Sequence, residues 1–203
     1  MDEPLSKAPL VSELLYWLAK FLFRISGWRA KGKLPDIPKY VVILTHTSNW
    51  DLILGMTFWS IVSHGFFKTK LSWLGKKEAF RGPGGAFFKW IGGIPIDRGA
   101  RHRVVEQVIQ AFRRREKLVV AIAPEGTREK ATRWKTGFYY IARGAQVPIV
   151  LGFIDYKRKV AGIGPAITPS GDIQVDMEII RDFYSKVHAR YPDRVGDIVL
   201  RQS

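Results

Sequence analysis

The sequence predicts an α/β domain in which a mostly parallel central sheet is flanked by helices, with an amphipathic helix at the N-terminus. Short apolar runs of strand length, rich in β-branched residues, occur at residues 40–44, 118–123 and 146–153. Stretches with apolar residues at helical spacing separate these runs, and strands that alternate with helices are typical of a parallel sheet. The 203 residues are enough for one sizeable core and few for two.

Residues 10–28 predict a helix with a wide apolar surface. The charged residues Glu13, Lys20 and Arg24 fall along one line of a helix, and large apolar residues occupy the rest. This pattern is typical of an interfacial helix, in which Trp17 suits the lipid headgroup level and the basic residues suit anionic lipid. The alternative is a helix packed on the domain's own core.

The N-terminal region shows no other membrane or export signal. No charge-free run reaches the roughly 18 residues that a transmembrane helix needs, and the basic start and cleavage site of a signal peptide are lacking. Residues 31–39, with Gly32, Pro35 and Pro38, predict a linker. We therefore divide the chain into an N-terminal membrane-associating helix with its linker, residues 1–33, and a main domain, residues 34–203.

His46 and Asp51 flank a turn that follows the first core strand. Ser48 and Asn49 are turn and N-cap formers, and residues 52–62 are apolar almost without a break, which predicts a helix. Across such a turn the Asp51 carboxylate can accept a hydrogen bond from one ring nitrogen of His46, which fixes the tautomer and leaves the other nitrogen free to accept a proton. The alternatives are a structural histidine and a helix cap.

Two later strands also end in groups that bind anions. Residues 91–98 predict a short strand with Arg98 at its end, where the guanidinium offers a fork of donors to a phosphate or pairs with Asp97 on the surface. The strand at residues 118–123 is followed by Glu125, Gly126, Thr127 and Arg128. Open α/β sheets bind ligands at the carboxyl ends of their strands, so this segment is either a second part of one site or a simple capped turn.

The remaining elements complete the α/β pattern. Residues 101–115 predict an amphipathic helix, residues 134–142 a short helix, and residues 159–168 a strand pair or edge hairpin. Apolar residues that step by three and four from Asp172 to Tyr191 predict a long closing helix. Residues 68–89 are basic and aromatic, which suits either stacking on nucleic-acid bases or a lipid phosphate beside an acyl chain.

Composition limits the chemistry. The net charge of +15, from 33 Lys and Arg against 18 Asp and Glu, implies an anionic partner: nucleic acid, an anionic lipid surface or a phosphorylated small molecule. The absence of cysteine excludes disulfides, thiolate nucleophiles and cysteine metal sites. The 4 histidines are scattered without ligand spacing, so we expect no metal and no bound cofactor.

Four sequence blocks occur in a fixed order: His46-x4-Asp51, Gly93-Ile94-Pro95-Ile96-Asp97-Arg98, Pro124-Glu125-Gly126-Thr127-Arg128 and Val147-Pro148-Ile149-Val150. Together they resemble the glycerolipid acyltransferases, specifically the lysophosphatidic acid acyltransferase (1-acylglycerol-3-phosphate acyltransferase) group, because four ordered blocks are far rarer by chance than one. The sequence departs from the family pattern at Thr45, Ala123 and Leu151-Gly152.

This resemblance implies transfer of a fatty acyl group from acyl-CoA or acyl carrier protein to the free hydroxyl of lysophosphatidic acid or a related lysophospholipid, giving phosphatidic acid. His46 would be the base and Asp51 would orient it. The acceptor's glycerol-phosphate site would comprise Arg98, Glu125, Gly126, Thr127 and Arg128. The implied location is the cytoplasmic face of the cell membrane, with anionic lipid as partner. Since the chain has neither cysteine nor a Gly-x-Ser-x-Gly elbow, we expect direct transfer without an acyl-enzyme.

Two alternatives stay open at this stage. One keeps the chemistry and changes the acceptor, for example to a lyso-ornithine lipid. The other is a basic nucleic-acid-binding protein without catalysis. We prefer an enzyme with no nucleic-acid partner, because nucleic-acid binding gives no reason for a histidine and an aspartate to flank that turn.

Overall fold

The computed structural model describes residues 9–45, 47–64, 69–82, 84–97, 99, 101–125, 134–195 and 198. Within them, the helices are α1 (Pro9–Ile25), α2 (Asn49–Val62), α3 (Gly85–Trp90), α4 (Arg101–Arg113), α5 (Gly137–Ala145) and α6 (Ile173–Ser185). The strands are β1 (Arg29–Lys31), β2 (Lys39–Ile43), β3 (Leu71–Lys76), β4 (Gly93–Ile96), β5 (Leu118–Ile122), β6 (Ile149–Asp155) and β7 (Val160–Ile167). Two short 3₁₀ helices span Lys77–Phe80 and Pro192–Arg194.

The described strands form one sheet in the order β1-β7-β6-β2-β5-β3-β4, and every neighbouring pair is parallel except β6 and β7. The predicted fold class, a mostly parallel sheet flanked by helices, is therefore confirmed. Strands β2 to β6 all run in one direction, so their carboxyl ends lie along a single edge of the sheet. That edge carries the segments in which the site was predicted.

The central strand β2 contributes to two cores, because successive side chains of a strand point to opposite faces. Val41 and Ile43 belong to a core that α4, α5 and α6 cover. Tyr40 and Val42 belong to a second core, which is covered by α1 and α2 through residues such as Phe23, Phe58 and Trp59. Burial on both faces explains why β2 reads as a continuous apolar run.

Several details differ from the sequence-based expectations. Residues 160–167 form the single strand β7, antiparallel to β6, and not a strand pair of their own. Helix α6 ends at Ser185, well before Tyr191, because the chain then turns back to β6, where His188 O accepts a hydrogen bond from the Tyr156 N–H. Strands β1 and β3 were not predicted.

The N-terminal helix α1 packs on the second core and leaves much of its surface uncovered. Ser12, Ala19 and Phe23 are buried, whereas Trp17 and Phe21 are 57% and 58% exposed. Among the described helices, none is long and apolar enough to cross a membrane. Beyond α1, β1 adds the first strand of the chain to the edge of the sheet through parallel pairing with β7.

Candidate active site

Two of the predicted site residues, Asp51 and Glu125, lie at the same edge of the sheet. Asp51 is in the first turn of α2, directly after β2, and Glu125 follows β5, the parallel neighbour of β2. Both side chains are buried, with 3% and 2% of their surfaces exposed. The other predicted site residues lie outside the described part of the chain, and their roles stay predictions: His46, Arg98, Gly126, Thr127 and Arg128.

The Asp51 carboxylate closes a capping box at the N-terminus of α2. Oδ2 accepts hydrogen bonds from the backbone N–H groups of Thr47 and Ser48, each at 2.7 Å. The Ser48 hydroxyl in turn accepts from the N–H of Trp50 at 3.2 Å. These bonds satisfy backbone donors that a helix start leaves without partners, and the helix dipole favours a negative charge here. Capping therefore fixes the carboxylate at the N-terminus of α2.

A tyrosine that the sequence analysis did not single out completes the surroundings of Asp51. Tyr156, directly after β6, donates its hydroxyl proton to Asp51 Oδ1 at 2.6 Å. Burial, followed by the hydrogen bond to Asp51 and the negative charge of that carboxylate, raises the pKa of Tyr156, and nearby Arg190 opposes this only in part. The phenol therefore keeps its proton at neutral pH.

The segment after α6 brings a cation to the same place. The Arg190 guanidinium lies 5.7 Å from the ring centre of Trp50 and 5.8 Å from that of Tyr156, distances typical of cation–π contacts. This segment is tied to β6 because the ring of His188 contacts the Asp155 carboxylate at 3.2 Å. Burial opposes ionisation of Asp155, but hydrogen bonds from Arg158 and His188 lower its pKa overall.

Glu125 lies near Tyr184, a buried residue of α6. The Tyr184 hydroxyl lies 2.8 Å from both Ile43 O and Gly152 O, which ties the ends of β2 and β6 to α6. Complete burial and the nearby negative charge of Glu125 raise the pKa of Tyr184, so this hydroxyl remains a donor. The third block therefore begins close to the buried Tyr184 of α6.

A groove of about 570 Å³ opens between α1 and α2, and its lining includes Tyr156, whose hydroxyl bonds Asp51. Its apolar walls come from Leu22 and Ile25 of α1, from Ile53 and Leu54 of α2, and from Trp28 in the segment between α1 and β1. Its polar lining includes Tyr156, Lys159 and Arg190. A groove with hydrocarbon walls and two cations suits a ligand that has an apolar chain and an anionic group.

The outer surfaces of α1 and of the first half of α2 are apolar and exposed. On α1 these residues are Leu14, Trp17, Leu18, Phe21, Leu22 and Ile25, and on α2 they are Trp50, Leu52, Ile53 and Met56. Soluble monomers rarely expose so many large apolar side chains together. The exposed side chains of Lys20 and Arg24 add positive charge to the same helix.

The basic and aromatic stretch at residues 68–89 is partly core. Trp73, Phe80 and Phe88 pack on one another with ring centres about 6 Å apart, so their rings are already used in the fold. Phe87 and Trp90 are exposed at the end of the sheet. Among the described residues, no group of three or more His, Asp or Glu side chains is arranged to hold a metal ion.

Comparison with protein families shows the family to which the chain belongs. A model of the acyltransferase family matches residues 28–151, which is more than half of the chain and includes β1, β2, Asp51 and Glu125. The chain belongs to this family. Its resemblance to acyltransferases, predicted from the four blocks, is confirmed, and the protein is an enzyme of the acyl-transfer class.

Among solved structures, this acyltransferase is similar to PlsC of Thermotoga maritima, a 1-acyl-sn-glycerophosphate (LPA) acyltransferase. The two share 16% sequence identity with a TM-score of 0.59, over 94% of this chain and 85% of that one. At this identity the likeness establishes the fold. Comparison with curated proteins gave no match.

The family match ends before the residues that the structure adds to the acyltransferase site. Tyr156, Lys159 and Arg190 lie beyond residue 151, outside the matched region. Their sequence signal was weak, since Tyr156 and Lys159 lie in a turn between strands and Arg190 lay in a predicted helix. Only the sheet order, which sets β6 beside β2, brings Tyr156 to Asp51.

Proposed function

We propose that this acyltransferase moves a fatty acyl group from acyl-CoA or acyl carrier protein to the free hydroxyl of lysophosphatidic acid or a related lysophospholipid, giving phosphatidic acid or its counterpart. The reaction takes place at the surface of the cell membrane, on its cytoplasmic face. His46 and Asp51 form the catalytic dyad. Arg98, Glu125, Gly126, Thr127 and Arg128 bind the glycerol-phosphate part of the acceptor.

In the proposed mechanism, His46 accepts the proton of the acceptor hydroxyl while that oxygen attacks the thioester carbonyl carbon. The tetrahedral intermediate collapses with cleavage of the carbon–sulfur bond. The proton held by His46 then passes to the departing thiolate, which leaves as a free thiol. Asp51 orients the imidazole and stabilises the imidazolium that forms during the reaction.

The observation that carries the proposal is the Asp51 carboxylate, which is buried and held by three hydrogen-bond donors, one of which, Tyr156, lines an apolar groove. Burying a carboxylate is unfavourable unless its oxygens are hydrogen-bonded. A carboxylate held in this way is already oriented, so it does not have to turn when charge develops during a reaction. A lysophospholipid has the hydrocarbon chain and anionic headgroup that the groove suits. The thioester donor needs no metal for this chemistry.

The exposed apolar surface of α1 and α2 supports attachment to the membrane. Both helices border the groove, so a lipid in the contacted leaflet enters without crossing water. The net charge of +15 favours anionic lipid and the phosphate of the acceptor alike.

The test is an acyl-transfer assay with labelled acyl-CoA and acyl carrier protein on vesicles that contain one lysolipid at a time. Lysophosphatidic acid, lysophosphatidylcholine and a lyso-ornithine lipid separate the acceptor classes. We expect transfer to lysophosphatidic acid, and we expect His46→Ala to lower kcat by about 10²–10⁴-fold because it removes the general base.

His64→Ala is the matched control, since His64 is exposed just after the far end of α2, roughly 20 Å from Asp51 at 1.5 Å per residue. This variant should keep normal activity, and both variants should bind vesicles normally. Full activity of His46→Ala would exclude His46 as the base. Transfer to the lyso-ornithine lipid alone would replace the proposed acceptor.

A further inference from the structure

Tyr156 reaches the proposed catalytic pair from a distant part of the chain. Its hydroxyl lies 2.6 Å from Asp51 Oδ1, although 105 residues separate the two in sequence. The backbone N–H groups of Thr47 and Ser48 donate to the other carboxylate oxygen. Because the two oxygens have separate donors in different segments, rotation of the carboxylate about its own axis is restricted.

The Tyr156 ring is held in place by contacts that do not involve Asp51. Trp28 packs edge-on against it, with ring centres 5.2 Å apart at 90°. The backbone N–H of Tyr156 donates to His188 O at 2.8 Å, and the preceding Asp155 accepts a hydrogen bond from the Arg158 N–H at 2.8 Å. The hydroxyl is therefore positioned in advance, which lets it orient the carboxylate.

We propose that Tyr156 is a positioning residue of the acyl-transfer site, whose hydroxyl holds the Asp51 carboxylate in the orientation that serves the imidazole of His46. This inference rests on the roles proposed above for His46 and Asp51. The capping box alone does not need the tyrosine, because it is complete with the backbone N–H groups at the start of α2. The hydrogen bond from Tyr156 therefore adds a second, independent constraint on the orientation of the Asp51 carboxylate.

The hydroxyl also sets how much negative charge Asp51 presents to the histidine. A hydrogen bond from Tyr156 shares part of the charge of the carboxylate. Without it, Asp51 stabilises the imidazolium more strongly, so the base becomes neutral only at higher pH. Removing the hydroxyl should therefore move the acidic limb of the pH–rate profile to higher pH. It should also slow the reaction, because the carboxylate loses its fixed orientation toward the imidazole.

Other charged groups near Tyr156 come from several elements. Arg190 follows α6, Lys159 lies in the turn between β6 and β7, and Asp155 and His188 form a pair at the end of β6. His188 is a second histidine close to the tyrosine. The pH profile is therefore also measured in a His188→Gln background, in which the shift caused by Tyr156→Phe should persist.

The chain contains a matched control for a purely structural role. Tyr139 of α5 donates its hydroxyl to the buried Asp176 of α6 at 2.8 Å, which also ties two distant segments together. Tyr139→Phe removes the same chemical group from the other side of the sheet. If Tyr156 were only a tie between β6 and α2, the two variants would behave alike.

The experiment measures kcat from pH 5 to 9 for the full-length wild type, Tyr156→Phe and Tyr139→Phe on vesicles that contain lysophosphatidic acid. We expect about a tenfold lower kcat for Tyr156→Phe, the kinetic equivalent of one hydrogen bond to a charged group, with its acidic limb at higher pH. Tyr139→Phe should keep the wild-type profile. NMR titration of the His46 ring, assigned with His46→Gln, should give the same upward shift without any turnover.

A wild-type kcat and pH profile in Tyr156→Phe would overturn the inference and leave the proposed function intact. So would a lower kcat with an unchanged acidic limb and a reduced melting temperature, since that is the result of a structural tie. If the wild type acylates none of the lysolipids, the proposed function fails instead. The NMR titration then decides about Tyr156 by itself, and an unmoved His46 titration refutes the inference.

Discussion

The two sides of the sheet are covered by helices in different ways. On one side, α4 buries Val108 and Phe112 and exposes charged side chains such as Arg103 and Glu106, as expected for a helix that faces water. On the other side, α1 buries a narrow stripe and exposes large apolar residues over the rest of its surface. The fold of the chain accounts for the first pattern completely, whereas in the second the described part of the chain leaves the apolar surface uncovered.

Each side also contains a buried aspartate that accepts a hydrogen bond from a tyrosine. Asp176 accepts from Tyr139 and from the Ser170 N–H, and it lies in the first turn of α6. Asp51 lies at the carboxyl edge of β2, and its partner Tyr156 lines the groove. The chemistry of the two pairs is alike, so their different positions allow the proposed catalytic role of Asp51 to be tested against a structural role.

The strongest test of this comparison replaces each aspartate by its neutral isostere. Asp51→Asn should lower kcat by about 10³–10⁴-fold, because the amide cannot stabilise an imidazolium and favours the wrong tautomer. Asp176→Asn should leave kcat within about threefold of wild type and lower the melting temperature, because a buried hydrogen bond is weakened far from the reaction.

Acyl-transfer assays and thermal unfolding of both variants, together with vesicle binding, provide the measurements. Equal loss of activity in the two variants would mean that the activity responds to global stability, and it would remove the distinction between the two sides. Normal activity of Asp51→Asn would exclude the proposed dyad.

The sequence predicted the parts of the fold that are defined by local pattern. Strands β2 and β5 are continuous apolar runs because both of their faces are buried, and α4 has a clear helical period. Strand β1 has three exposed residues and exists through its pairing with β7, so it has no hydrophobic signal of its own. Strand β3 mixes serine, glycine and lysine with apolar residues, and its pairing with β4 and β5 determines it.

The site residues fall into the same two groups, those that a local sequence pattern predicts and those that only the tertiary structure brings together. Asp51 was predicted as a site residue from its spacing in a turn, and its catalytic role stays a prediction. The alternative, a helix cap, is confirmed by the capping box. Tyr156 and Arg190 were not predicted, because their contacts arise from sheet order and from the chain's return after α6. For α1, packing on the core is observed at Phe23, whereas membrane contact stays a prediction for the exposed face that includes Phe21.

The next test concerns the surface of α1. Phe21→Glu should weaken binding to vesicles that contain phosphatidylglycerol by about 10–100-fold, because it removes the burial of one aromatic side chain in lipid, worth roughly 1.5–3 kcal/mol. Stability should hardly change, since Phe21 is exposed. Vesicle co-sedimentation and thermal unfolding are the measurements.

Ile179→Glu on α6 is the control for this substitution. Ile179 is 48% exposed on the other side of the sheet, next to the charged Glu178. It should leave vesicle binding unchanged. If Ile179→Glu weakens binding as much as Phe21→Glu does, or if neither has an effect, the apolar surface of α1 is not the membrane contact.

The smallest expected effect distinguishes two buried tyrosines. Within the described residues, the hydroxyl of Tyr40 on β2 is buried without a hydrogen-bond partner, whereas the hydroxyl of Tyr139 is bonded to Asp176. Tyr40→Phe should therefore leave the free energy of unfolding at pH 7 unchanged or raise it by up to about 1 kcal/mol, and Tyr139→Phe should lower it by about 1 kcal/mol.

The difference in stability between Tyr40→Phe and the wild type should widen at alkaline pH. Burial raises the pKa of Tyr40 to about 12, while in the unfolded chain the phenol releases its proton near pH 10. Between these values the unfolded state binds fewer protons than the folded state, so the contribution of Tyr40 to stability is present below pH 10 and falls as the pH rises toward 12. Tyr40→Phe has no phenol to ionise at this position, so its stability does not fall for this reason. Urea unfolding at pH 7, 10 and 11 should thus show that the free energy of unfolding of Tyr40→Phe exceeds that of the wild type by a margin that grows with pH. A constant margin would mean that the Tyr40 hydroxyl is hydrogen-bonded or hydrated in solution.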